Sequence, residues 1–173
     1  MNDQFGFLQD VTNFCNHRPL LLLALELTQG KVIEFGSGNG STPYLSRYCE
    51  ASNREFKSYE SNIEWAVKMG STYVKDWEDE KLYQSCGLFF CDHAPGEDRH
   101  IAVRRFFVKA DIIVCHDSEL GGAGDYKFEP VFKLAKYQLH FNRTGGGAGA
   151  SMISNKIDLS KYKGTKIGNF EIE

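Results

Sequence analysis

Two short segments constrain this chain more than any others: residues 87–92 (GLFFCD) and 111–116 (DIIVCH) are apolar almost without a break. A strand with one face in water alternates apolar and polar residues, so continuous runs belong to strands covered on both faces. Residues 31–36 (KVIEFG) read the same way, and residues 54–60 (REFKSYE) and the weaker 71–77 (STYVKDW) bring the count to five strands. Helical patterns lie between them. One follows Pro43, one opens on Ser61 and Glu64 in a capping-box spacing, and one carries Val103, Phe106, Phe107 and Ala110 on a single face. After Pro130 a short helix with Val131, Leu134 and Ala135 leads to residues 137–143 (YQLHFNR) and 151–156 (SMISNK), spaced as an antiparallel hairpin around a glycine-rich connection. The pattern predicts an α/β fold: a doubly wound, seven-stranded, mostly parallel sheet with a C-terminal antiparallel hairpin and helices on both faces.

Ahead of the first strand, Phe7, Leu8, Val11, Phe14 and Cys15 fall on one helical face. Pro19 and Gly30 bracket a second helix over LLLLALELTQ, which is apolar enough to be buried. Its apolar run from Leu20 to Leu25 is far short of the about 20 residues that a membrane span needs, and no basic stretch precedes a hydrophobic one at the N-terminus. The expected setting is therefore the cytoplasm, with no membrane partner. With 173 residues the chain is expected to form one domain. A net charge of -3 gives no bulk attraction to nucleic acid. Five cysteines without a C-x-x-C pair read as buried thiols.

The most informative segment is Glu34-Phe35-Gly36-Ser37-Gly38-Asn39-Gly40, which places three glycines at alternate positions just after the first strand. In doubly wound sheets ligands bind at that end of the strands. A dinucleotide fingerprint reads G-x-G-x-x-G, whereas here the spacing is G-x-G-x-G, with Ser41 at the sixth position and Glu34 two residues before the first glycine. An acidic mouth favours a ligand with positive charge and no phosphate. Glu60, about 20 residues after the loop, stands where such folds place a carboxylate for ribose hydroxyls.

This segment resembles motif I of class I S-adenosylmethionine-dependent methyltransferases, and Glu60 resembles their motif II acid. The resemblance implies a Rossmann-like core over residues 31–156, N-terminal helices over residues 1–30 that cover the cofactor site, and a tail over residues 157–173 without an assigned role. It also implies that Gly36, Ser37, Gly38 and Gly40 receive the methionine end of the cofactor, that Glu34 orients the loop and the amino group, that Glu60 binds the ribose, and that Asp76 or Trp77 lies beside the adenine. Asp92 joins this cofactor-binding set from the end of the fourth strand.

Two histidine-acid clusters close the cleft: Asp92 and His93 after the fourth strand, His116 and Asp117 after the fifth. Methyl transfer to a hydroxyl needs alignment, exclusion of water and removal of a proton by a nearby base or through a metal. Asp92, His93, His116 and Asp117 are the catalytic candidates. The D-H pair and the later aspartate are similar to catechol-type O-methyltransferases, whose acids help bind a divalent cation; by that resemblance Asp92 and Asp117 would be the metal ligands. Ser118 stands where that subfamily has an asparagine ligand, and Pro95 where it has a lysine base. His17 reads as part of a helix junction, and Arg99, His100, Arg104 and Arg105 read as a solvated basic helix face.

Asp92-His93-Ala94-Pro95 is unlike the D-P-P-Y tetrapeptide of amino-directed DNA methyltransferases, and no proline precedes a cysteine. The expected reaction is methyl transfer to a small-molecule hydroxyl. The competing expectations are a nicotinamide-dependent oxidoreductase on a related sheet and a non-catalytic S-adenosylmethionine-binding module. Without a separate recognition domain, acceptor choice falls to the N-terminal helices, residues 119–127, residues 144–150, or a second subunit of a homo-oligomer.

Overall fold

A computed structural model describes residues 3–9, 15–118, 126–141, 149–167 and 170–172. Seven strands form one sheet: β1 (Val32–Phe35), β2 (Phe56–Glu60), β3 (Thr72–Tyr73), β4 (Cys86–Cys91), β5 (Ala110–His116), β6 (Tyr137–Phe141) and β7 (Ala150–Ser154). Their order is β3-β2-β1-β4-β5-β7-β6. The first five run parallel, while β7 is antiparallel to both β5 and β6. The predicted doubly wound sheet with a terminal hairpin is the observed one.

Residue alternation along the central strands divides the core in two. Val32, Leu88, Phe90, Ile112 and Val114 face one layer, together with α1 (Arg18–Leu27) and with Leu45 and Cys49 of α2 (Thr42–Ala51). Ile33, Phe35, Phe89, Cys91, Ile113 and Cys115 face the other, with Val103 and Phe106 of α4 (Arg99–Phe106) and with Val131 and Phe132 of α5 (Glu129–Phe132). Both faces of β1, β4 and β5 are thus dry, which is why their sequences are continuous apolar runs. Helix α1 is buried along all of Arg18–Leu25, as expected of a helix that is apolar all round. All five cysteines are free and buried.

Several local expectations change. Residues 7–9, expected in a helix, lie in turns, and residues 10–14 are outside the described residues. Here the Asp3 carboxylate accepts the amides of Phe7 (2.6 Å) and Leu8 (2.9 Å), diverting donors that a helix would use, while Phe7 still reaches the core. Helix α3 (Ile63–Met69) is capped by Asn62, whose side chain accepts the Trp65 amide, and not by Ser61. Ala110 belongs to β5 and not to the preceding helical face. Strand β3 shortens to two residues because the chain leaves the sheet edge after Val74 donates its amide to Glu60. The tail forms an antiparallel ribbon of β8 (Lys166–Ile167) and β9 (Phe170–Glu171), and Ile172 is buried in the core beside Leu159.

Candidate active site

The chain passes from β1 outward on one side to β2 and β3 and on the other to β4 and β5, so the crevice beyond the ends of β1 and β4 is the topological switch point. Residues 36–40 open this crevice. Gly36 has φ +88°, donates its amide to Tyr59 O (2.9 Å) and leaves no space for a side chain. A Cβ there would stand 2.5 Å from the Asp92 carbonyl and the His93 amide nitrogen. Gly38 differs: a Cβ would meet nothing closer than 3.9 Å, so the loop backbone is open on that side.

Glu34 is fully buried, contrary to the acidic mouth expected from sequence. Its carboxylate accepts the hydroxyls of Ser41, Thr42 (2.8 Å) and Ser58 (2.6 Å), and the Thr42 hydroxyl in turn accepts the Gly38 amide (2.8 Å). Glu34 therefore orients the loop through Thr42 and anchors the start of α2. Burial raises its pKa to about 7 against the opposing effect of the three hydroxyls.

A carboxyl group with a raised folded-state pKa adds stability that is fully present below its unfolded value and is lost as pH rises through about 7. At roughly 1.4 kcal/mol per pH interval of one, that loss is at most about 3 kcal/mol. Buried His17 and His93 slope the other way: burial first, then the charge of His116 or of Arg99, holds them at about 3 and about 4. Urea titrations from pH 4.5 to 7.5 should therefore show the difference between Glu34→Gln and wild type growing in favour of the variant with pH. A difference that does not vary with pH would contradict the raised pKa.

Glu60, at the end of β2, accepts the Ser37 amide (3.1 Å) on Oε2 and the Asn62 amide (2.9 Å) on Oε1. Ser37 O accepts the Trp65 indole N–H (2.7 Å), so the loop is tied to α3 as well. Trp77 lies tilted against Phe35 and His93, with ring centroids 4.9 and 4.5 Å away, and donates its indole N–H to Ala94 O (2.9 Å). Asp76 is exposed and accepts the Glu78 amide.

Asp92, His116 and Asp117 come together, with ligand-capable atoms all within 4.8 Å of one another. His116 Nδ1 is 3.2 Å from Asp92 Oδ1, and His116 Nε2 is 3.6 Å from Asp117 Oδ1. Burial alone would lower the His116 pKa, but the hydrogen bond and charge of Asp92 raise it above the ordinary imidazole value. Burial works to raise Asp92, but His116 and then Arg99 hold it below the usual carboxylate range. Asp117 adopts φ +52°, a backbone state uncommon outside glycine and one that functional sites often retain. His93 is completely buried and sits apart from this trio, its ring on the Trp77 side of the sheet.

His17 stands at a helix junction, as the N-cap of α1, whereas Arg99 departs from the solvated face expected of it. His17 is buried, and its ring packs at 4.5 Å on His116 and 4.8 Å on Phe90. Its neighbour Arg18 donates to Gly40 O (2.8 Å), so the N-terminal segment does touch the glycine loop. Arg99 is only 7% exposed and donates to both Asp92 and Asp117, where a solvated surface position was expected. One signal was available. Arg99 starts α4, and a cation at the positive end of a helix implies a carboxylate partner elsewhere.

No protein-family model and no curated protein matches the sequence. Among solved structures, the chain resembles cofactor-bound Rv0187 from MTB with a TM-score of 0.59 and 16% identity, over 91% of this chain and 82% of that one. It resembles the plantazolicin methyltransferase BpumL in complex with SAH with a TM-score of 0.53 and 10% identity, over 88% of this chain and 86% of that one. For the O-methyltransferase from Bacillus cereus in complex with SAH the TM-score is 0.50 and the identity 15%, over 84% of this chain and 82% of that one. The chain has the class I methyltransferase fold.

Proposed function

We propose that this chain binds S-adenosylmethionine at the switch point and transfers its methyl group to an oxygen of a small-molecule acceptor. The observation that carries the reading is the loop at residues 36–40, held from beneath by Glu34 through Thr42 and from the side by Glu60, with Gly38 open. Glu60 accepts the amide and hydroxyl of Ser37 on Oε2 but only the Asn62 amide on Oε1, which leaves a lone pair of Oε1 for a ribose hydroxyl. Gly36, Ser37, Gly38 and Gly40 would meet the methionine end, and Trp77 with Asp76 the adenine. When bound, the cofactor supplies a methyl group on a positively charged sulfur.

The chain's own residues have two tasks. Asp92 accepts the Nδ1 proton of neutral His116, which leaves Nε2 as the proton acceptor for a hydroxyl, and a base with a raised imidazole pKa suits neutral pH. His116 Nε2 is buried without a hydrogen-bond partner, which keeps water from it, and the His17 ring packed on His116 has to give way for an acceptor hydroxyl to reach it. The net charge of -3 favours an uncharged or cationic small acceptor, and the cytoplasm is the setting we propose. Among the described residues no helix is long and apolar enough to cross a membrane.

Calorimetry tests the cofactor assignment. S-adenosylhomocysteine should bind one to one, NADH should not, and Glu60→Ala should weaken binding by about tenfold to a hundredfold, the range for hydrogen bonds to a charged acceptor. Binding of NADH with none of S-adenosylhomocysteine would support the oxidoreductase reading. Cofactor binding without turnover of any hydroxyl, amine or thiol acceptor would support a binding module.

A further inference from the structure

The Asp92, His116 and Asp117 group has the donor chemistry of a site for a hard cation, as the likeness to catechol-type enzymes implies. The residue that lies between the two acids argues otherwise. Arg99 NH2 is 3.0 Å from Asp92 Oδ1, and Arg99 NH1 is 3.0 Å from Asp117 Oδ2. The other guanidinium donors go to main-chain carbonyls: Nε to His93 O (2.8 Å), NH1 to His116 O (3.3 Å) and NH2 to Asp92 O (3.1 Å). The fork makes four hydrogen bonds and one further charge contact, to Asp92 Oδ1, and so ties the end of β4 to the end of β5. The Tyr126 ring covers the guanidinium at 4.8 Å.

We infer that Arg99 is the resident counter-cation of this cleft, standing between the two acids that the likeness to catechol-type enzymes would give to a divalent ion, so that the acid pair takes no metal. A divalent ion needs carboxylate oxygens within about 2.0–2.6 Å. Asp92 Oδ1 already serves both Arg99 and His116, and an ion beside it would face a fixed positive charge. Moving the arginine aside would leave three carbonyls without this donor, in two buried hydrogen bonds and one partly buried, a cost that a surface arginine would not carry. If the proposed methyl transfer is correct, it follows that the acceptor is not chelated, and vicinal diols gain nothing over single hydroxyls.

Mn²⁺ titration of the full chain, followed by electron paramagnetic resonance, tests the inference without any turnover, so a failure of the methyltransferase reading leaves it intact. Wild type should show no saturable site below about 1 mM, the weak end of oxygen-ligand sites. Arg99→Met should gain one equivalent of Mn²⁺, at least about tenfold tighter, together with a rise in Tm on adding Mn²⁺ that wild type lacks. The gained site should vanish in Arg99→Met combined with Asp117→Asn. One equivalent of Mn²⁺ on wild type that is lost in Asp117→Asn would overturn the inference, and so would a folded Arg99→Met that binds none. If Arg99→Met folds only with Mn²⁺ present, the ion has taken over the charge of the arginine, which supports it. If that variant does not fold under either condition, the wild-type titration alone decides.

Discussion

Gly36→Ala is expected to be the most destabilising small substitution in the glycine loop, while Gly38→Ala should fold like wild type. At Gly36 the added Cβ would lie 2.5 Å from backbone atoms of Asp92 and His93, which are fixed by β4 pairing to β1 and by Arg99. No rotamer relieves a clash between Cβ and main chain, so β1 or β4 must shift. The positive φ adds a second cost, since an L side chain is disfavoured there. Backbone strain of about 1–3 kcal/mol and overpacking of a similar size give roughly 2–6 kcal/mol, a large share of the about 5–15 kcal/mol that holds a domain together. At Gly38 no atom lies within 3.9 Å of the added methyl, and its stability change should stay within about 1 kcal/mol. If the open side of Gly38 receives the methionine end of the cofactor, the same methyl should lower affinity for S-adenosylhomocysteine by about tenfold or more. Urea unfolding and calorimetry on the two variants separate a glycine needed by the fold from one needed by the ligand. Equal loss of stability in both would refute that division.

The difference between these glycines marks the limit of what the sequence could disclose. Alternate glycines after an apolar strand were legible as a ligand loop, and continuous apolar runs were legible as buried parallel strands, because both follow from local rules. The predicted order of elements, the terminal hairpin and the meeting of Asp92 with His116 and Asp117 agree with the structure. What Glu34 does was not legible, since its three hydroxyl partners Ser41, Thr42 and Ser58 come from a loop, a helix and a neighbouring strand. Arg99 was misread for a related reason. A run of basic residues looks like a solvated face until the partner carboxylates are brought from the ends of two strands. His93 and His116 look alike in sequence, each at the C-terminal end of an apolar strand. The sheet sends His93 toward Trp77 and His116 toward Asp92. Of residues 119–127 and 144–150, to which acceptor choice is partly assigned, 119–125 and 144–148 lie outside the described residues.

His116→Gln should lower the rate of methyl transfer by about a hundredfold to ten-thousandfold, the usual span of a lost general base. Its affinity for S-adenosylhomocysteine should change little, because the side chains that His116 meets are Asp92, His17 and Asp117. Asp92→Asn gives the sharper test. A base works in its deprotonated form, so wild-type activity should rise with pH through an apparent pKa above that of free imidazole. Burial lowers the His116 pKa, and the hydrogen bond and charge of Asp92 more than offset it; removing that charge should move the rising limb toward acid. The lower basicity, together with loss of the acceptor that fixes the Nδ1 proton, should reduce the plateau rate by about a hundredfold. A uniform loss of activity at every pH, with the limb unmoved, would mean that Asp92 only supports the strand end. A limb moved toward alkali would mean that Asp92 does not stabilise the protonated imidazole. A structural role alone would lower the rate without shifting the titration, so the direction of the limb identifies His116 as the group that takes the proton.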